Sequence, residues 1–77
     1  MAAKGLLRAL GEELRERRLF KGLSQERLAE RAGLHRNFIG LLERGQRNPS
    51  LLTLDAVASA LKASITDLMS AVENRRR

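Results

Sequence analysis

Apolar residues recur along this chain every three or four positions, the period of an amphipathic helix. Leu6, Leu10 and Leu14 repeat at four, and Leu7 lies three before Leu10. They predict a first helix from about Leu6 to Lys21, ended by Gly22. The next residue on that stripe is Arg18, a charge on an otherwise apolar face. Ser24 is a favourable N-cap, and Leu23 and Leu28 have the spacing of a hydrophobic staple. A second helix therefore follows Ser24, turns Leu28, Ala29 and Ala32 inward, and stops at Gly33. Leu34 and Ile39 repeat the staple for a third helix, about His35 to Arg44, with Ile39 and Leu42 inward and Gly45 as its stop. Gly45-Gln46-Arg47-Asn48-Pro49 reads as a loop. Ser50 caps a fourth helix carrying Leu51, Leu54, Val57, Ala58 and Leu61 at helical spacing. Ser64-Ile65-Thr66-Asp67 fits a capping box for a short fifth helix with Leu68, Met69 and Val72.

Composition supports an all-α class. Leu, Ala, Glu and Arg dominate, with two Val, two Ile and two Thr among 77 residues. That length suits one small domain, expected over residues 6–73, with a flexible tail at 1–5 and a basic tail at 74–77. The absence of Cys excludes disulfides and thiolate zinc, and the single His leaves no metal set, so neither metal nor cofactor is expected. Two Phe are too few for a base-stacking platform. The apolar runs are too short to span a membrane or to make a signal peptide, which leaves a cytoplasmic protein as the expectation. The carboxylates and the one His show no nucleophile–base spacing, so an enzyme is not expected, and no small-molecule site is evident.

The formal net charge of +6 is unevenly placed. Residues 1–48 carry eleven Lys/Arg against six Asp/Glu, whereas in residues 49–74 Lys62 stands against Asp55, Asp67 and Glu73. Arg75, Arg76 and Arg77 add a terminal run, read as a solvated tail. One half of the domain is thus suited to an anion, nucleic acid above all, though helix solvation alone accounts for the charge equally well.

Helices two and three, joined by Ala32-Gly33-Leu34-His35, have the arrangement of a helix-turn-helix. The run Leu23-Ser24-Gln25-Glu26-Arg27-Leu28-Ala29-Glu30-Arg31-Ala32-Gly33-Leu34 is followed by Phe38-Ile39-Gly40-Leu41-Leu42-Glu43-Arg44-Gly45 and Arg47-Asn48-Pro49-Ser50-Leu51. Together these closely resemble the lambda-repressor-like (Xre/Cro) helix-turn-helix family, over roughly residues 10–70. The resemblance implies five helices, binding to double-stranded DNA and frequent dimerisation.

It also implies roles. Gln25 matches a Gln that binds a phosphate and braces the recognition helix, at a helix start that favours anions. Arg36 and Asn37 open the third helix, where Arg suits guanine O6/N7 and Asn suits adenine N6/N7. Leu41 either touches a thymine methyl or packs within the domain. His35 is a helix cap or a phosphate neighbour, and Phe38, lacking a hydroxyl, packs on a sugar or on the core. Arg44, Arg47 and Asn48 surround a loop suited to phosphate, with Arg47 alternatively a minor-groove probe. Arg18 and Glu43 match a buried ion pair of the family. Arg27 and Arg17 depart from the family's usual Glu and apolar residue, and both add positive charge.

Leu52, Ile65, Leu68, Met69 and Val72 exceed the expected needs of the core, which points to a two-fold homodimer surface. The functional expectation is a sequence-specific transcriptional regulator on a palindromic or pseudo-palindromic operator. In size it is similar to the controller proteins of restriction–modification systems. RNA polymerase is a candidate partner, and an antitoxin that binds a toxin and its own promoter is the alternative.

Overall fold

The computed structural model describes residues 2–77, with side chains from residue 5 onward. Its five helices are α1 (Ala2–Phe20), α2 (Gln25–Ala32), α3 (Arg36–Glu43), α4 (Leu51–Ala60) and α5 (Ile65–Arg75). Three serines set the starts of α2, α4 and α5. Ser24, Ser50 and Ser64 accept from the backbone N–H groups of Arg27, Thr53 and Asp67 at 3.0, 3.1 and 3.0 Å. Each cap occupies a donor that the first helical turn leaves unpaired.

The four internal helix ends close alike. Leu23, Leu34, Gln46 and Ala63 donate backward to the carbonyls of Arg18, Ala29, Leu41 and Ala58 at 2.9–3.0 Å. This wrap needs a left-handed residue just before the donor. Gly22, Gly33 and Gly45 supply it after α1, α2 and α3; Lys62, with φ 60°, supplies it after α4.

Helix α1 packs on α3 and α5, α2 on α3 and α4, and α4 on α5. The seam is filled by Leu10, Leu14, Leu28, Ile39, Leu42, Val57, Leu61, Leu68 and Val72, all buried. Such burial contributes about 1.5–3 kcal/mol per large aliphatic side chain.

Three expectations change. The anticipated tail at 1–5 is helical from Ala2, because Ala2-Ala3-Lys4 is a good helix-forming run; Met1 lies outside the described residues. At the other end, Arg75 is the last residue of α5 and bonds to α1 rather than standing in solvent. Its Nε donates to Glu13 Oε1 at 2.8 Å, and its guanidinium also pairs with Glu16 and, at 3.8 Å, with Glu12. Glu13 in addition accepts from Arg17 Nε at 2.6 Å. Burial works against the Glu13 carboxylate, but the hydrogen bonds and charges of Arg75 and Arg17 outweigh it and hold the carboxyl below the usual glutamate range. The third change concerns the proposed dimer face. Leu68 and Val72 are fully enclosed in the chain's own core and present no surface to a partner. Ile65 and Met69 are half-buried against that core, and Leu52 alone of the set is open, at 83% exposure. The reason is that α5 lies across both α1 and α4, so its apolar stripe is consumed internally.

Gly11 marks the tightest crossing, where α1 meets the end of α3. A Cβ there would lie 2.6 Å from the Leu42 carbonyl oxygen and closer still to that of Glu43. Both obstacles are backbone, so they cannot swing aside. Gly11→Ala is expected to lower stability by about 1–3 kcal/mol despite alanine's better helix propensity. Urea denaturation checks this, and an unchanged or raised midpoint would contradict so close a crossing.

Candidate nucleic-acid interface

The turn between α2 and α3 is closed by Gly33 and pinned by Leu34, which sits half-buried against the core. That anchoring fixes how α3 leaves α2. Helix α3 then divides by face. Ile39, Gly40, Leu42 and Glu43 point inward and are buried, whereas Arg36 and Asn37 at its start are exposed. Leu41 and Phe38 are half-buried on its flanks, Phe38 packed against the core.

His35 precedes α3 in extended backbone geometry, yet its side chain makes no capping hydrogen bond. The first turn closes instead on the His35 carbonyl, which accepts from Phe38 and Ile39 N–H at 3.0 and 3.2 Å. His35 is therefore not a side-chain cap; its exposed ring stands beside the outward start of α3.

The orientation of α3 rests on a buried charge network. Arg18 Nε and Nη2 donate to Glu43 Oε2 and Oε1 at 2.6 and 3.1 Å, a forked pair. Arg18 Nη1 donates to the Leu23 carbonyl at 2.8 Å. Gln25 Nε2 donates to Glu43 Oε1 at 3.0 Å. One carboxylate thus gathers α1, the α1–α2 turn, the first residue of α2 and the last of α3. Arg18 and Glu43 side chains are only 8% and 3% exposed. Among the described residues, no buried side-chain polar atom lacks a partner.

Gln25 therefore braces α3 directly. Its amide nitrogen carries two protons, and this bond uses one of them. The Gln25 and Arg44 side chains both lie against α3 at Gly40. A Cβ at Gly40 would stand 3.6 Å from Gln25 Oε1 and 3.4 Å from Arg44 Nη1, ordinary contact distances.

Beyond α3, Arg44, Arg47 and Asn48 are exposed. Arg44 Nε makes a long bond of 3.4 Å to Gln46 Oε1. The Arg47 guanidinium stands over the Phe38 ring, 5.8 Å from its centroid, so Phe38 holds the loop cation beside the helix. Arg17, by contrast, is committed to Glu13 on another side of α1 and is not part of this surface. The exposed set combines a forked guanidinium, an amide and loop cations around one short helix. That chemistry matches base edges flanked by phosphates.

Sequence reasoning did not anticipate the Gln25–Glu43 bond, the crossing at Gly11 or the Arg75 clasp. A glycine within a helix, costing about 1 kcal/mol relative to alanine, was the available sign at Gly11. The acidic stripe Glu12, Glu13 and Glu16 was the sign for Arg75.

A short helix set outward by a fixed turn, with a guanidinium and an amide exposed at its start, defines the helix-turn-helix class. The family model described as "Helix-turn-helix" matches residues 14–68, and the chain belongs to that family. It is 48% identical over 61 residues to the control protein C.SmaI of Serratia marcescens, covering 79% of this chain and 73% of that protein. The crystal structure of the restriction-modification controller protein C.AhdI from Aeromonas hydrophila superimposes with a TM-score of 0.79 at 48% identity, covering 80% of this chain and 94% of that one. The controller protein C.Esp1396I, solved as a tetramer in complex with its natural 35 base-pair operator, matches with a TM-score of 0.84 at 28% identity, over 92% and 93% of the two chains.

Removing the shared carboxylate tests the network. Glu43→Gln strands the Arg18 charge in a buried site, at an expected cost of about 3–5 kcal/mol. Chemical denaturation reads this directly, and a loss below about 1 kcal/mol, the level of an exposed pair, would reduce the network to a surface contact.

Proposed function

We propose that this chain is a sequence-specific transcriptional regulator of double-stranded DNA, working as a homodimer in the manner of a restriction–modification controller protein. The observation that carries the reading is the outward pair Arg36–Asn37 on a helix whose inner face is locked by Glu43. Arg36 reads guanine and Asn37 adenine in the major groove, and Leu41 lies on the flank where a thymine methyl would pass. Gln25, His35, Arg44, Arg47 and Asn48 hold the sugar-phosphate rails, with Phe38 supporting Arg47. Support comes from the control protein at 48% identity and from the operator complex of the more distant controller protein. The protein then works in the cytoplasm on promoter DNA, where RNA polymerase is its natural neighbour. Among the described residues no helix is long and apolar enough to cross a membrane.

Base reading and backbone gripping separate by mutation. Arg36→Ala is expected to lose about 1–3 kcal/mol on the selected site and to relax one base position, while Gln25→Ala and Arg44→Ala weaken specific and random duplexes alike. Binding-site selection followed by titration of both duplexes measures this. Equal losses on both duplexes for Arg36→Ala would remove its reading role.

Dimerisation falls to the open apolar start of α4, where Leu51 and Leu52 are 71% and 83% exposed. Two-fold pairing there would set two α3 helices on half-sites one helical turn, or a multiple of it, apart. Sedimentation at micromolar concentration should show a dimer that Leu52→Glu converts to an 8.6 kDa monomer. A wild-type monomer throughout would remove the dimer from the reading.

A further inference from the structure

Phe20 is one of two aromatic residues in the chain, and it is 90% exposed at the end of α1, next to the half-exposed Leu19. It borders a cleft of about 380 Å³ whose floor includes Leu61 and whose rim carries Lys21 and Lys62. Phe20 thus adds an exposed apolar ring to a cleft that Leu61 also lines.

Lys62 adds an independent sign. Every other positive-φ position among the described residues is a glycine, which takes that conformation without penalty. Here a lysine holds φ 60° at the end of α4, and its side chain borders the same cleft. The lysine costs more in that conformation than glycine would, and it sets an ammonium group at the cleft.

The charges favour one occupant. Glu13 and Glu16 also line the cleft, but Arg17 and Arg75 engage Glu13, and Arg75 engages Glu16. Lys21 and Lys62 have no ion-pair partner among the described residues. A second copy placed by two-fold symmetry would bring these cations toward their own images. Duplex DNA would set phosphates against both lysines, but a duplex engaged by α3 lies away from this side of α1. A polypeptide can place an apolar side chain on Phe20 and Leu61 and its carboxylates on both lysines. The cleft also lies on a different side of α1 from the Gly11–Arg18 stripe that meets α3. We propose that this cleft docks an acidic protein segment bearing an apolar side chain, at the same time as α3 engages its own ligand.

The test uses a synthetic peptide with a leucine flanked by glutamates, titrated into the full chain and followed by amide chemical shifts. The shifts are expected at Phe20, Lys21, Leu61 and Lys62, with affinity falling as salt rises. Phe20→Ser should weaken binding about tenfold. Lys62→Gly should weaken it about threefold, as loss of one exposed charge contact does, while raising the melting temperature by relieving the backbone. A raised melting temperature for that variant excludes misfolding as the cause of any lost binding. The outcome that overturns the proposal is any of three: no shifts up to millimolar peptide, shifts centred on α3, or equal binding by a peptide with glutamine in place of glutamate. None of these bears on the reading of α3, which duplex titration tests separately.

Discussion

One carboxylate, that of Glu43, sets the geometry on which the helix-turn-helix depends. It receives two nitrogens of Arg18 from α1 and the amide of Gln25 from the start of α2. Helices α2 and α3 are eight residues each, too short to be stable in isolation, so their placement rests on tertiary contacts. A forked ion pair is directional where a leucine seam is not, so it fixes rotation about the helix axis as well as distance. Its net stabilisation is small once desolvation is counted, and its worth lies in what it excludes. Any rolled arrangement of α3 would leave Arg18 or Glu43 buried and alone.

The same constraint explains why the inner half of the site is precise and the outer half open. Arg36 and Asn37 stand free in solvent on a helix whose opposite face is immobilised. A base-reading side chain needs a rigid base and an unoccupied tip. Gln25 contributes to the rigid side, since its amide is tied to the same carboxylate. The placement of Arg47 over Phe38 extends the arrangement to the loop, whose cation would otherwise be tethered only by backbone.

Much of this is legible in the residue order. The serine caps, the glycine stops and the apolar spacing locate all five helices to within a few residues, because each signal is local. Arg18 stands out as a charge on an apolar stripe, and the family resemblance supplies Glu43 as its partner. What the order conceals is nonlocal. Leu68 and Val72 read as surplus apolar surface because nothing in the chain announces that α5 lies across α1 and α4 together. Arg75 reads as tail because its three glutamate neighbours are some sixty positions away. Both errors have one origin: a helix's apolar and charged stripes are visible in sequence, but the element that covers them is not.

That correction changes how so small a domain achieves stability. A chain of this length buries only about 60% of its unfolded surface, which ordinarily invites a partner to complete the core. Here α5 completes it from within, closing over α4 with Leu68 and Val72 and over α1 through Arg75. The core therefore does not require dimerisation, and the remaining apolar surfaces are left free for recognition. They lie apart in sequence, Leu51 and Leu52 at the start of α4 and Phe20 at the end of α1. With α3 as a third outward element, the fold has separate exposed faces, which the proposals above assign to DNA, to a second copy and to another protein. Affinity at one face can then change without rebuilding the others, because the Glu43 network and the α5 clasp hold the scaffold beneath all three.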